Sequence, residues 1–234
     1  MSNGTTVKKR NGRGTEPLNL EKMHKMVEEA CKGIAGVSAS QVEIQSGIQF
    51  YDGITTAEIQ EILIKSASDL IDLENPNYQF VAARLLLFSL RKSLYGKIRE
   101  MPHLESQIMG CTSFDVYDKE IFTKYSKEEI DKANGFIDHD RDFLFTYAGL
   151  RQVVDKYLVQ DRSTGQAYET PQFMYIMIAL TIFQNYPKEK RLNYVRRYYD
   201  AISKHKLNIP TPIMAGVRTP LRQFASCVLV DIDD

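Results

Sequence analysis

The sequence has 234 residues, which is enough for one large or two small domains with a real hydrophobic core. Hydrophobic residues make up 43% and charged residues 26%, and 30 Lys and Arg balance 30 Asp and Glu. This composition is that of a globular protein without a strongly basic nucleic-acid footprint. The apolar runs are too short for a membrane span or a signal peptide, and the three cysteines form no CxxC pair. These features predict a cytoplasmic protein that binds neither membrane nor DNA or RNA.

The first hundred residues predict a small helical bundle capped by a β-hairpin. Asn11-Gly12 is a tight-turn signal between two extended segments within Val7 to Asn19. Four helices follow, ending near Gly96, and N-cap, capping-box or Asn-Pro patterns mark their starts. The marker residues are Asn19, Ser38, Thr55 and Asn75.

The second half predicts further helices and ends on a candidate strand. Helices are expected after Ser126, over 173–185 and over 191–204, with a hairpin around 161–165 and a loop-like stretch over 209–216. The apolar run 224–230 reads as a strand, although nothing in this sequence is available to form a sheet with it. The fold class is therefore mainly α (α+β).

The chemistry-bearing residues admit two interpretations each. Lys9, Arg10, Lys22 and Lys92 could converge on a polyphosphate, or they could be solvated surface cations. His139 among three aspartates could hold a metal, although a helix-end ion-pair network is the more common use of such a cluster. Cys227 could be a small core residue or a redox thiol, and the second role needs a partner thiol.

Several segments resemble the large subunit of class I ribonucleotide reductases, in the enterobacterial and T4-like phage group. Val7-Lys-Lys-Arg-Asn-Gly, Gln49-Phe-Tyr-Asp-Gly-Ile and Tyr78-Gln-Phe-Val-Ala-Ala-Arg are similar to the ATP-cone of that family. Phe136-Ile-Asp-His-Asp-Arg-Asp and Lys156-Tyr-Leu-Val-Gln resemble the following helical domain. Pro210-Thr-Pro-Ile-Met-Ala-Gly-Val-Arg-Thr-Pro and Arg222-Gln-Phe-Ala-Ser-Cys resemble the entry to the catalytic barrel.

The resemblance implies three domains: an ATP-cone over 1–97, a helical domain over 98–220, and the first strand of an otherwise missing α/β barrel over 221–234. The ATP-cone would switch overall activity, on with ATP and off with dATP. Gln60 stands where some relatives have a nucleotide-contacting His. The implied nucleotide contacts are Val7, Lys9, Arg10, Glu16, Asn19, Lys22, Met23, Thr56, Gln60 and Lys92.

The resemblance also implies roles in reducing ribonucleoside diphosphates to deoxyribonucleoside diphosphates for DNA synthesis. Thr211 and Ser226 would contact the substrate diphosphate, Cys227 would be one of two redox thiols, and Asp234 would begin the specificity-effector site. No metal is expected in this chain, because the di-iron radical cofactor would be in the small (beta) subunit. Thioredoxin or glutaredoxin would be the reductant.

The radical-bearing Cys, the second redox Cys and most of the barrel would lie beyond position 234, so the chain is not expected to be active alone. The remainder of the large subunit would be a second polypeptide, as in a split gene, or this would be a truncated piece. The alternative is an ATP/dATP-sensing regulatory module without a catalytic role. Such a module would not need the Pro-Thr-Pro and Ser-Cys segments.

Overall fold

A computed structural model describes residues 5–9, 14–47, 49–221 and 223–230. The chain divides into two compact units. Unit 1 comprises Met1–Ser93 with Phe143–Arg151, and unit 2 comprises Leu94–Asp142 with Gln152–Asp234. The described residues are mostly helical with one small sheet, so the predicted mainly α (α+β) class is confirmed. The three domain ranges taken from the resemblance remain predictions.

Unit 1 carries a three-stranded sheet formed by β1 (Thr6–Lys8), β2 (Thr15–Pro17) and β3 (Ile54–Thr55), in the order β2-β1-β3. The antiparallel pairing of β1 with β2 confirms the predicted hairpin, while its turn at Asn11-Gly12 lies outside the described residues. β3 pairs in parallel with β1 and was not predicted. A strand of two residues is too short to show an alternating pattern.

The helices of the first hundred residues pack their apolar faces into a shared core. Asn19 caps the first helix by accepting from the Lys22 backbone N–H at 2.9 Å, and Thr55 and Glu58 form a complete capping box. Val27, Leu63 and other apolar side chains are fully buried between the helices. The helices are α1 (Leu20–Cys31), α2 (Ala39–Gly47), α3 (Thr56–Asp69) and α4 (Tyr78–Tyr95).

The start of α4 is later than predicted. Asn75-Pro76 was expected to open the helix, whereas the structure has a turn at 76–77 and the helix begins at Tyr78. The backbone N–H of Tyr78 donates to the Asn75 carbonyl at 3.4 Å, so the proline lies in a tighter turn that leads into the helix.

Among the remaining helices, α9 is apolar, and its residues from Pro171 to Leu180 are all buried, as expected for an apolar helix. The capping box at Ser126 is also confirmed. No helix among the described residues is both long and apolar enough to cross a membrane. In chain order the elements are α5 (Leu104–Ser113), α6 (Ile121–Lys124), α7 (Lys127–Asn134), a 3₁₀ helix (His139–Leu144), α8 (Tyr147–Gln152), a π-helical turn (Val153–Tyr157), α9 (Pro171–Phe183), α10 (Lys188–Ser203) and α11 (Thr211–Gly216).

Three expectations for the second half differ from the structure. The stretch expected to be loop-like forms α11, with Pro212 in its first turn, where a missing N–H costs no helical hydrogen bond. The second hairpin is reduced to a single bridge, Gln160 to Ala167. The strand expected over 224–230 is not formed, because residues 223–230 have no ladder partner in the described chain and Val228, for example, is 78% exposed.

Candidate functional site

A pocket in unit 1 brings together most of the residues that the resemblance assigned to nucleotide binding. Eight of the ten line it: Val7, Glu16, Asn19, Lys22, Met23, Thr56, Gln60 and Lys92. Lys9 does not line the pocket, but its Nζ lies 3.2 Å from the Glu16 carboxylate that does. Arg10 lies outside the described residues.

The functional side chains reach the pocket from the ends of helices and from the central strand of the sheet. Asn19 is the N-cap of α1, and Thr56 is the first residue of α3, directly after the capping box. Lys92 lies in the last turn of α4. Val7 projects from the central strand β1, where it is 3% exposed. Backbone pairing and helix caps therefore fix the positions from which these side chains extend.

Opposite charges meet at the pocket. The Glu16 carboxylate lies 3.2 Å from Lys9 Nζ and 4.0 Å from Lys22 Nζ, and all three side chains are at least one-third exposed. Exposed ion pairs of this kind are weak, so an incoming anion can displace the carboxylate at small cost. The cations thus fit a polyphosphate, and the neutral amide and hydroxyl groups of the lining fit a sugar or a base.

The pocket wall is formed by Gln60 and by apolar residues that were not assigned to the site. Gln60 is 3% exposed, and its side-chain amide N–H donates to the Leu85 carbonyl at 3.1 Å. Its nitrogen is therefore engaged by α4, so Gln60 is part of the buried wall. The additional lining residues are Pro17, Leu18, Met26 and Ile59. Met26 and Ile59 occupy apolar helix positions, which indicated core but could not indicate a pocket.

The residues predicted for substrate and redox chemistry lie in unit 2. Thr211 is the first residue of α11, and its Oγ1 lies 3.4 Å from the Tyr157 hydroxyl. Ser226 and Cys227 lie in the exposed segment 223–230. The ring of Phe224 in that segment approaches Gly216 at the end of α11, 3.9 Å from where a β-carbon would stand. Asp234 lies outside the described residues.

All three cysteines are free thiols, and they differ in environment. Burial raises the pKa of Cys31 to about 11 and that of Cys111 to about 12, so neither is a thiolate at neutral pH. Cys227 is exposed. Its accessibility distinguishes it from the half-buried Cys31 and the buried Cys111.

The charged cluster around His139 contains an ion-pair network. Arg141 lies 3.3 Å from Asp138 and 2.7 Å from Asp200. The His139 ring packs edge-on against Phe173 with centroids 4.9 Å apart. These contacts agree with the ion-pair interpretation of the cluster.

Comparisons with known proteins agree with the motifs. The ATP cone domain family matches residues 5–93, and the family described as "Ribonucleotide reductase, all-alpha domain" matches residues 143–222. Ribonucleoside-diphosphate reductase 1 subunit alpha of Escherichia coli is 50% identical over 234 residues, which is 100% of this chain. The chain matches the N-terminal part of a class I ribonucleotide reductase alpha subunit. The resemblance drawn from the motifs is confirmed.

Other reductase relatives extend the match. The alpha subunit of Haemophilus influenzae is 49% identical over 234 residues, and that of Enterobacteria phage T4 is 44% identical over 222 residues, or 94% of this chain. The chain spans about 30% of the length of these reductase subunits. Their names describe whole reductase subunits, of which this chain corresponds to one part.

Proposed function

We propose that this chain supplies the nucleotide-responsive domain and part of the substrate site of a ribonucleoside-diphosphate reductase. The observation that carries the proposal is the match to reductase alpha subunits along the entire chain, at 50% identity. The enzyme reduces ribonucleoside diphosphates to deoxyribonucleoside diphosphates. The match over residues 143–222 to the reductase all-alpha domain favours this function over a regulatory module that contains only a nucleotide sensor.

The pocket of unit 1 binds ATP or dATP as an allosteric effector. Lys22 and Lys92 line it and Lys9 stands beside it, and together they supply positive charge for the triphosphate. Asn19 and Thr56 offer hydrogen-bonding groups for the sugar or base. The proposal is supported by the convergence of side chains from three helices, α1, α3 and α4, on one pocket.

Effector binding must rearrange Glu16. Its carboxylate contacts both Lys9 and Lys22, so a triphosphate that binds these cations competes with it. Glu16 lies in β2, which pairs with β1 at Val7. Release of Glu16 by the triphosphate therefore acts directly on the edge strand of the sheet.

Thr211 and Ser226 contact the substrate diphosphate, and Cys227 is one of the two thiols that reduce the ribose. The 2′ hydroxyl leaves as water, and the dithiol supplies two electrons and becomes a disulfide, which thioredoxin or glutaredoxin reduces again. The radical-bearing Cys, the second thiol and the remaining barrel residues come from the rest of the alpha subunit. The radical originates in the small subunit, whose di-iron cofactor lies outside this chain. These roles rest on the family resemblance and on the accessibility of Cys227.

Turnover of the complete reductase, with the rest of the alpha subunit and the small subunit present, tests the proposal. Cys227→Ser should abolish sustained reduction with thioredoxin, while ATP binding to unit 1 is unchanged. Cys31→Ser is the matched control, because Cys31 is also a free thiol but lies half-buried in unit 1. Sustained turnover by Cys227→Ser would contradict the redox role. Loss of ATP binding in that variant would mean that the change has a general structural effect.

A further inference from the structure

The guanidinium of Arg218 is fully enclosed within unit 2. Its side chain and that of Glu169 are both 0% exposed, and the two form an ion pair. Arg218 Nε lies 3.0 Å from each oxygen of the Glu169 carboxylate. A buried ion pair is weak evidence for a stabilising role, because well-packed apolar residues of similar volume often stabilise a protein as well. Its geometry therefore needs a separate explanation.

The two terminal nitrogens of Arg218 also donate to two backbone carbonyls, and Nη2 contacts the Glu169 carboxylate as well. One carbonyl belongs to Met214 in α11, one turn after Thr211. The other belongs to Tyr157, the last residue of the π-helical turn, at 2.9 Å. One rigid, planar side chain thus ties α11 to the end of the π-helical turn.

These two backbone segments carry the hydroxyl groups that meet at the proposed substrate contact. The Tyr157 hydroxyl lies 3.4 Å from Thr211 Oγ1. A shift of either segment changes this distance. The planar guanidinium of Arg218, which we call the Arg218 fork, therefore fixes the distance between the two hydroxyls and their directions without contacting either of them.

The Arg218 fork is itself held in place by Glu169 and its neighbours. Glu169 also accepts from the Val159 backbone N–H at 2.7 Å and from the Tyr117 hydroxyl. The backbone carbonyl of Arg218 accepts from the Asp118 N–H at 2.9 Å. A lysine could keep the charge but has no planar fork, so it cannot bind the carboxylate and both carbonyls in this arrangement.

We propose that Arg218 is a positioning residue that sets the Thr211 hydroxyl for the substrate diphosphate. This inference rests on the proposed function, because it requires Thr211 to contact substrate. Arg218 does not touch substrate. It acts through the backbone of α11 and the π-helical turn.

A double-mutant cycle in the complete reductase tests the inference, with cytidine diphosphate as substrate. Thr211→Val and Arg218→Lys should each raise KM by about tenfold, as for one lost hydrogen bond to a charged group, with a smaller change in kcat. If Arg218 acts through Thr211, the KM of the double variant should equal the higher of the two single-variant KM values. Independent effects would instead multiply the two increases in KM. Arg141→Lys is the matched control, because Arg141 is a 13% exposed, ion-paired arginine of the same unit. It should leave KM unchanged.

The outcomes separate the inference from the proposed function. An unchanged KM in Thr211→Val overturns the substrate assignment, and the inference with it. A raised KM in Thr211→Val together with an unchanged KM in Arg218→Lys overturns the inference alone, and so do multiplicative effects in the double variant. If Arg218→Lys does not fold, Arg218→Met combined with Glu169→Leu removes both charges and leaves neither buried alone. That pair should still raise KM about tenfold, and a normal KM would overturn the inference.

Discussion

The charges at the unit 1 pocket give a prediction whose size follows from the structure. Lys22→Gln removes one cation and keeps a polar side chain of similar length. The Lys22 side chain is 72% exposed, so a phosphate about 4 Å from Nζ would interact with it in a solvent-screened environment. Coulomb's law gives about 1 kcal/mol in bulk water and about 4 kcal/mol at an effective dielectric constant near 20. We take the lower part of that range, about 1.4 kcal/mol, which corresponds to a tenfold increase in Kd.

The measurement is calorimetric titration of the chain with ATP at low and at physiological salt. Lys25→Gln is a close control, since Lys25 lies in the same helix, is 71% exposed and pairs with Glu21 rather than with a pocket residue. It should change Kd by less than about twofold at physiological salt, because Lys25 does not line the pocket and salt screens exposed charges that make no direct contact. Lys92→Gln should match Lys22→Gln, because Lys92 also lines the pocket.

Two results would refute this reasoning. Equal losses in Lys22→Gln and Lys25→Gln would mean that the general charge of unit 1 attracts ATP, without a specific contact at the pocket. Unchanged affinity in both Lys22→Gln and Lys92→Gln would exclude this pocket as the triphosphate site.

Three further predictions concern the elements that support the sites, each measured by thermal or urea unfolding. Thr55→Ala removes the cap before α3 and should destabilise unit 1 by about 1 kcal/mol. Gln60→Leu removes the buried donor to the Leu85 carbonyl and should cost about 1 kcal/mol, whereas an unchanged midpoint would show that this bond adds nothing. Hydrogen bonds from Arg191 hold the pKa of Glu129 below its ordinary value of 4.5. The stabilisation of the fold by these hydrogen bonds is therefore fully present above pH 4.5. It is lost as the pH falls through the lower pKa that Glu129 has in the folded protein. Glu129→Gln should cost about 3 kcal/mol at pH 7 and progressively less as the pH falls through the folded pKa, and a cost that does not change with pH would contradict the assignment.

The parts of the fold that could be predicted are those decided within one or two turns of chain. The capping boxes at Thr55 and Ser126 were predicted correctly, because the side chain and the N–H that it accepts from are three residues apart. The burial of α9 followed from its composition, since a helix that is apolar on every side needs neighbours all round.

The elements that were missed depend on distant partners or have weak local signals. β3 has two residues and exists through its pairing with β1, which lies far away in the sequence. The stretch with Pro210 and Pro212 was read as a loop, although a proline in the first turn of a helix is compatible with α11. The Arg218–Glu169 pair gave no local signal, because its two residues lie on separate segments.

The candidate site could be predicted from the resemblance but not from spacing. Charge pattern alone left Lys9, Lys22 and Lys92 as ordinary surface lysines. The structure adds an independent physical reason to group them with one pocket, since Lys22 and Lys92 line it and Lys9 contacts its Glu16. Gln60 shows the opposite case. The resemblance assigned it to the nucleotide, whereas in the structure its amide N–H donates to the Leu85 carbonyl of α4.

The two proposed sites differ in how much of their surroundings this chain provides, and this difference determines how they can be tested. Every described residue that lines the nucleotide pocket belongs to unit 1. Nucleotide affinity can therefore be measured on this chain by itself. Ser226 and Cys227 instead lie in a segment whose Leu229 is 98% exposed, where no strand fixes their direction. A pair of thiols can reduce a ribose only when both are held beside it. Variants of Thr211, Arg218 and Cys227 are therefore informative in the complete reductase, which includes the part of the alpha subunit that this chain does not cover.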